Sequence, residues 1–450
     1  MRVVVIGLGK TGESVVRHCV ARGDSVVVIE DNPMLRADWN SQVSTVTELG
    51  AKIETNLSEP AMLALIDRAD LIVPSPGVPE RHLALRAAIA ARIPVRAEID
   101  LAGEIASATL VAITGTNGKT TVTTQVTEIL QAADYRVTAA GNIGLPLLDA
   151  ANQDWEVIVA EVSSFQLAFT ETFHPKVAAI LNLGADHLDW HRTFSAYAHA
   201  KARIFSNQLP DDVLVFNADD SVVAGMAANA PSRVVPFSVA AGAASGYRVS
   251  ETAVGELLVA DDGSTLIPVL ELKQRRSVDL ANALAASAIA QAIGAPGTAV
   301  TKALQEFRGL AHRMELVAVH DEISWYNDSK ATNVHATLAA VRGLNLVVLI
   351  AGGRNKGIDL GELQSLRDGL VGVVAIGDAA MEVQEVFAGV TPVVTATTMT
   401  QAVQLAREFA RPGSTVLLSP GCASFDWYSS YAERGDDFAR NVRDLIGIKS

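Results

Sequence analysis

Two stretches of this chain set a β-branched run directly before a glycine turn and a segment of helical period. Val3-Val4-Val5-Ile6 precedes Gly7-Leu8-Gly9-Lys10-Thr11-Gly12, and Leu110-Val111-Ala112-Ile113-Thr114 precedes Gly115-Thr116-Asn117-Gly118-Lys119-Thr120-Thr121. A strand ending in such a turn leaves the first N–H groups of the next helix facing open space, with the positive end of the helix dipole behind them. That geometry suits phosphate and belongs to parallel sheets covered by helices. Further β-branched or apolar runs at 25–30, 71–74, 157–162, 177–182, 346–351, 373–377 and 415–419 alternate with helical segments, so the class is α/β. No short period repeats along the chain, which argues against a solenoid.

With 450 residues there is room for about three domains. Proline punctuation at Ile93-Pro94-Val95 puts a hinge near Ala97, and Gly309-Leu310-Ala311-His312-Arg313 marks a second junction. The expected division is 1–97, 98–309 and 310–450, with chemistry in the clefts between. Inside the middle part, 236–268 reads as loops and antiparallel edges before an Ala-rich helix over 280–293. Apolar residues make up 49% and charged residues 19%, which excludes disorder as the main state. The 36 Lys and Arg against 50 Asp and Glu leave a formal charge of -14, so no global positive field draws the chain to nucleic acid. Anionic ligands must then be attracted locally, by lysines, helix N-termini and metal ions. Cys19 and Cys422 have no CxxC spacing, which suggests neither disulfides nor zinc and fits a reducing cytoplasm. The first apolar run is too short for a signal segment or a membrane span, so no membrane insertion is expected.

In the second glycine loop, Lys119 is placed to reach the β- and γ-phosphates, and Thr120 to put its hydroxyl on Mg²⁺, which takes oxygen ligands beside substrate phosphates. Gly115, Thr116, Asn117, Gly118 and Thr121 complete the loop, and the ligand it implies is ATP. The turn is shorter than GxxxxGK[ST], since Ile113 stands where that pattern has its first glycine. The first loop, with Glu30 and Asp31 ending the second run, has the spacing of a dinucleotide fingerprint. Physically it accommodates any diphosphate, including that of a UDP-sugar, and demands no nicotinamide. Glu161 closes the run at 157–160, on the sheet edge where ligands of open α/β folds collect. Read alone, His187 and His191 are structural histidines and Lys201 a helix-surface lysine.

The glycine-rich ATP loop, Gly141-Asn142-Ile143-Gly144, Glu161-Val162-Ser163-Ser164-Phe165-Gln166-Leu167 and Asp186-His187-Leu188-Asp189-Trp190-His191 follow one another in an order that resembles the Mur ligases. These are ATP-dependent amide-bond-forming enzymes, and folylpolyglutamate synthases belong with them. The resemblance implies an N-terminal Rossmann-like domain that binds UDP, a central P-loop ATPase-like parallel sheet and a C-terminal Rossmann-like α/β domain. It implies two Mg²⁺ ions: Glu161 and Thr120 on the ion shared with ATP, His187 on the second, and Lys201 carbamylated into an anionic oxygen ligand. With Lys119, these three residues, Glu161, His187 and Lys201, form the implied catalytic set. Gly9, Lys10 and Thr11 would meet the diphosphate, Glu30 or Asp31 the uracil, and Ser75 and Gly77 another wall, with Asn142 also on the UDP substrate. Arg313 would contact ATP phosphate and Asp328 the ribose or adenine side.

Asn327-Asp328-Ser329-Lys330-Ala331-Thr332-Asn333 is similar to the string of the family member that adds D-glutamate. The implied substrates are UDP-N-acetylmuramoyl-L-alanine, D-glutamate and ATP, in a cytoplasmic step of peptidoglycan synthesis by a monomer. Lys356 and Ser424 match positions that hold the glutamate side-chain carboxylate, Thr332 lies in the reaction zone, and Tyr431 stands where similar enzymes often have Phe. The implied route forms an acyl phosphate that the amine then attacks, inside domains that close on their ligands. Cys422 has no matched histidine and reads as a structural thiol, and Arg434-Gly435 as structural. A dehydrogenase leaves the ATP loop unexplained, a folylpolyglutamate-type ligase leaves the UDP-like first domain and the NDSKATN string unexplained, and a nonenzymatic nucleotide-binding regulator is the rival from another class.

Overall fold

Val3, Val4, Val5 and Ile6 are all buried, as a strand covered on both faces requires. They form β1 (Arg2–Ile6), which with β2 (Ser25–Glu30), β3 (Lys52–Thr55) and β4 (Leu71–Pro74) makes a parallel sheet in the order β3-β2-β1-β4. Strand order reverses at β1, the place where open α/β sheets bind ligands. The computed structural model describes residues 1–31, 39–253, 255–355 and 357–447. They fall into two compact units, Met1–Leu183 with Ser195–Phe307, and Gly184–Phe194 with Arg308–Ser450.

The first unit carries a second sheet, built on β5 (Thr109–Thr114), β6 (Val137–Gly141), β7 (Val157–Glu161), β8 (Val177–Ile180), β9 (Val213–Asn217), β10 (Arg233–Ser238), β11 (Tyr247–Thr252), β12 (Gly255–Val259) and β13 (Thr265–Pro268). The order is β13-β12-β11-β10-β9-β8-β5-β7-β6. Seven strands, β11 through β6 in that order, run parallel, and only β12 and β13 extend the sheet antiparallel, so the stretch expected to form antiparallel edges does so in its second half while β11 joins β10 in parallel. Val111 and Ile113 of β5 pack with Val122, Val126 and Ile129 of helix Lys119–Ala132 and with Leu284 and Ile289 of helix Ser277–Ile293. Each such burial contributes about 1.5–3 kcal/mol. Ala283, Ala285, Ala286, Ala288 and Ala290 are buried in the second of these helices, and their small side chains let the two lie close.

Helix Glu98–Ile105 leads from the first sheet to β5. Asp100, buried in it, accepts hydrogen bonds from the N–H groups of Glu171, Thr172 and Phe173 and from the Thr170 hydroxyl. Neighbouring Glu98 is also buried; desolvation drives its pKa up to about 7, against the opposing N–H of Leu148, and the charge of Asp149 pushes the same way.

In the second unit, β14 (Glu315–His320), β15 (Ile323–Asn327), β16 (Val347–Gly352), β17 (Leu370–Ile376), β18 (Val393–Thr395) and β19 (Thr415–Gly421) run in the order β14-β15-β19-β16-β17-β18. All neighbours are parallel except the β14–β15 hairpin. Strands β3, β6, β9, β14 and β18 are absent from the sequence expectations; β3, with three of four residues exposed, shows why a solvated edge leaves little apolar pattern. Among the described residues no helix is long and apolar enough to cross a membrane.

Candidate functional site

The first glycine loop is closed by three contacts from different elements. Leu8 N–H donates to the Glu30 carboxylate at the end of β2 (2.9 Å), Ser75 Oγ after β4 donates to Gly7 O (2.7 Å), and Gly12 packs on Gly7. Gly9 caps helix Lys10–Ala21 in extended backbone, which leaves Lys10 exposed and Thr11 half-buried on the first turn. Of the two acids considered for uracil, Glu30 is buried and engaged with the loop, whereas Asp31 is 43% exposed and pairs with His82 Nε2 at 2.7 Å. His82 Nδ1 accepts from Ala84 N–H, so Nε2 carries the proton toward Asp31. Gly77 turns away beside this rim with φ +96 and is exposed.

The second loop leaves β5 and turns through Gly118, whose φ of +84 is a left-handed conformation natural to glycine, into helix Lys119–Ala132. Lys119 Nζ donates to Gly115 O (2.8 Å) and Thr116 O (3.0 Å), and so lies over the loop it belongs to. Asn182, after β8, brackets the same turn: its Oδ1 accepts Asn117 N–H (2.8 Å), its Nδ2 donates to Asn117 O (3.0 Å), and its carbonyl accepts Thr116 N–H (3.0 Å). The Thr116 hydroxyl meets the Tyr197 hydroxyl at 2.9 Å. Thr120 and Thr121 occupy the first helical turn, Thr120 half-buried and Thr121 buried.

Lys201 is no surface residue. It is 1% exposed, with Nζ 3.1 Å from Thr114 Oγ1 and 2.9 Å from Gly115 O, and 4.9 Å from the Tyr197 ring centroid. Two lysines therefore converge on the Gly115 carbonyl from different helices. On the neighbouring strand end, Glu161 is 2% exposed; Oε1 accepts Asn142 Nδ2 at 2.8 Å, while Oε2 is buried without a hydrogen-bond partner. An orphaned buried carboxylate oxygen is what a cation would satisfy. Asn142 reaches it because Gly141 lies flat on Glu161: a Cβ there would stand 2.4 Å from the Glu161 carbonyl. Among the described residues no three His, Cys, Asp or Glu side chains cluster as a ready metal cage. One carboxylate plus hydroxyl and phosphate oxygens is the usual donor set for Mg²⁺, so Glu161 and Thr120 fit that ion.

In the second unit, His187 holds a left-handed backbone (φ 54), rare for a residue with a Cβ and a mark of constraint. Asp186 fixes it: one carboxylate oxygen accepts His187 N–H (2.9 Å) and the other accepts Asn333 Nδ2 (3.0 Å), joining two strings that are far apart in sequence. Asp328 is buried; its oxygens accept Met314 N–H (3.2 Å) and Ser419 Oγ (2.8 Å), which ties Arg313's turn to the end of β19. Lys330 Nζ lies 5.2 Å from the Tyr431 ring centroid, Thr332 is half-buried and Ser424 buried. Lys356 lies outside the described residues.

Arg434 is the residue whose place sequence reasoning left vague. It is 1% exposed and donates to Ser329 Oγ and O and to the carbonyls of Cys422 and Ala423, so one guanidinium stitches the loops after β15 and β19 together. Burial pulls its pKa down to about 10. Arg434 has the structural role expected of it, whereas Asn182, Tyr197 and Asp186 are supports the sequence did not single out, the signal available being position, after a strand or inside a quoted string. Cys422 is buried with its carbonyl on Arg434, in keeping with a structural thiol.

Residues 1–97 match the Mur ligase MurD-like N-terminal domain, 113–290 the Mur ligase middle domain and 312–422 the Mur ligase glutamate ligase domain. A UDP-N-acetylmuramoylalanine–D-glutamate ligase of Desulfosudis oleivorans is 40% identical over 99% of this chain and 96% of its own. MurF from Acinetobacter baumannii shares the fold with a TM-score of 0.61 at 19% identity, over 98% of this chain and 93% of that one. A bifunctional folylpolyglutamate synthase/dihydrofolate synthase from Yersinia pestis reaches 0.57 at 19% identity, over 77% and 91%, so fold alone does not separate these activities. Three consecutive domain matches and two-fifths identity along its length place this chain in the Mur ligase family.

Proposed function

We propose that this chain joins D-glutamate to the alanyl carboxylate of UDP-N-acetylmuramoyl-L-alanine, using ATP and yielding ADP and phosphate, a step of peptidoglycan precursor synthesis. The observation that carries the reading is 40% identity, over 99% of the chain, to a ligase of that printed activity. The geometry supports it: two lysines converge on the triphosphate loop, one strand away from a buried carboxylate. Cytoplasmic location and a monomeric state go with this reading.

A carboxylate is a poor acyl donor, because an oxide leaves badly. In the proposed reaction the alanyl carboxylate oxygen bonds to the γ-phosphorus as the bond to ADP breaks. The glutamate nitrogen then attacks the acyl carbon, phosphate leaves with its electron pair, and the amine sheds a proton. Lys119, over the loop at Gly115 and Thr116, offsets charge that develops on the transferring phosphoryl group. Gly115, Asn117 and Gly118 present the loop, with Thr116 and Asn117 fixed by Asn182 and Tyr197. When bound, Mg²⁺ held by Thr120 and Glu161 would neutralise phosphate charge. His187 keeps its proposed role as a ligand of the second ion, and Lys201 its proposed role, as a carbamate, of an anionic oxygen ligand for Mg²⁺; full activity in Lys201→Ala would remove Lys201 from the metal ligands. Gly9, Lys10 and Thr11 are assigned to the diphosphate, and Asp31, rather than the engaged Glu30, to the uracil. Arg313, Asp328, Thr332, Ser424 and Tyr431, with Lys356, retain the nucleotide and glutamate roles set out from the sequence.

The test is phosphate release with UDP-N-acetylmuramoyl-L-alanine and ATP across D- and L-amino acids. Release that depends on D-glutamate is expected; release with a folate and L-glutamate instead would establish the folylpolyglutamate reading, and no amino-acid-dependent release the regulator.

A further inference from the structure

Helix Lys10–Ala21 begins at the first glycine loop, so its placement sets where the N–H groups of that loop stand. One residue of the short helix after β6 grips it. Asp149 accepts from Ser14 Oγ at 2.6 Å with one oxygen and from Arg17 Nη2 at 2.8 Å with the other, while Arg17 also pairs with Glu13. Ser14 is 1% exposed, the Asp149 side chain 23% and the Arg17 side chain 39%, so the charge-assisted bond to Ser14 is shielded while the Arg17 pair is partly open to solvent.

Asp149 belongs to helix Leu147–Ala151, which is itself held at its start, where Leu148 N–H donates to buried Glu98 at 2.6 Å. That short helix follows directly on the turn of Gly141 and Asn142. Asn142 meets Glu161 twice, N–H to carbonyl and Nδ2 to carboxylate, both at 2.8 Å. A continuous set of hydrogen bonds and one short turn thus runs from the first loop's helix to the carboxylate beside the triphosphate loop.

We propose that Asp149 is a positioning residue: through Ser14 and Arg17 it fixes the diphosphate-holding helix relative to Glu161, so that the far end of a bound UDP-sugar carries its carboxylate to the second glycine loop. The inference rests on the proposed function. A ligand anchored at one sheet and reacting at another needs the spacing between them held closely, since misplacement of about 1 Å can cost on the order of a hundredfold in rate.

A mere brace would affect every ligand alike, and the spacing role would not. UDP alone engages the first loop and ATP alone the second, whereas the whole sugar nucleotide must satisfy both. In the full chain, Asp149→Ala is expected to lower kcat/KM for UDP-N-acetylmuramoyl-L-alanine about tenfold and Ser14→Ala about threefold, the double variant losing no more than Asp149→Ala alone. Calorimetric dissociation constants for UDP and for ATP should stay within about twofold of the unaltered chain. Should Asp149→Ala fail to fold, Ser14→Ala, which keeps a good helix former in the helix, carries the test. Unchanged kcat/KM, or equal loss of affinity for UDP and for the sugar nucleotide, overturns the proposal. No turnover of the sugar nucleotide by the unaltered chain overturns the functional reading instead, and this inference with it.

Discussion

The two glycine loops share one plan, strand to turn to helix, and differ in what closes them. Around the first, the closing groups are a carboxylate, a hydroxyl and a backbone contact, and the lysine on the helix is exposed. Around the second, Lys119 and the buried Lys201 both point at Gly115 O, and an asparagine side chain pins the turn at both ends of one residue. Backbone N–H groups suffice to hold a phosphate that reaches the end of the reaction unchanged. A phosphoryl group in transfer redistributes charge as it moves, and a preorganised cation such as Lys119 acts on that change. On the proposed reading the glycine pattern marks phosphate at both loops, and the cation laid over the second, Lys119, marks the one where a bond to phosphorus breaks.

The sharpest way to break this contrast is to remove one lysine from each loop. Lys119→Ala is expected to lower kcat by about a thousandfold, on the scale of losing a donor aimed at developing charge. Its UDP affinity should be unaltered. Lys10→Ala should leave kcat intact and raise KM for the sugar nucleotide only a few fold, about the worth of an exposed charge on phosphate. Phosphate release under saturating substrates measures both, and equal falls in kcat would erase the distinction drawn between the loops.

Next in size is the packing of the first loop. A Cβ on Gly12 would stand 2.2 Å from Gly7 O, a backbone atom with nowhere to go, whereas at Gly118 the nearest atom, at 2.7 Å, is the end of the Asn282 side chain. Gly12→Ala should therefore force the first helix off its strand, at about 2–3 kcal/mol of stability, and abolish most UDP affinity. ATP affinity should survive, because the second loop is untouched. Calorimetry with each nucleotide checks the pair; retained UDP affinity would show that the close helix–strand approach is not what shapes the first loop.

Both loops were legible because strand runs and glycine turns carry strong local signals. Their supports were not. Lys201 sits in a helix where alanines alternate with polar residues, a pattern that marks no buried face, and only resemblance singled it out. Asn182 acts on the second loop from the end of another strand, and away from both loops Asp186 and Arg434 likewise hold residues of other elements, contacts that no spacing rule connects. The β14–β15 hairpin escaped for a local reason. Its tight turn puts Asp321 and Glu322 at φ 51 and 60, left-handed positions where Asn-Gly or Asp-Gly would have announced the turn. Local signals marked the two turns, and tertiary contacts decide how each loop is held.

The smallest expected effect lies on Glu98, on the helix that leads from the sheet of one loop to the sheet of the other. Its pKa is about 7 in the folded chain against 4.5 for the free side chain, raised chiefly by burial. Between those values the folded chain binds a proton that the unfolded chain releases, so stability is fullest below the lower value and declines as pH rises through the upper one. The decline is on the order of 3 kcal/mol across that window. Glu98→Gln keeps an oxygen for Leu148 N–H and never ionises, so its stability should lose this slope and exceed that of the unaltered chain at pH 8, with little difference at pH 5. Unfolding midpoints at the two pH values measure it, and kcat should not move, because the amide keeps the bond from Leu148 N–H that holds the Asp149 helix. An unchanged slope would mean that Glu98 is charged where it is buried, and that the join between the two sheets tolerates a carboxylate as well as an amide.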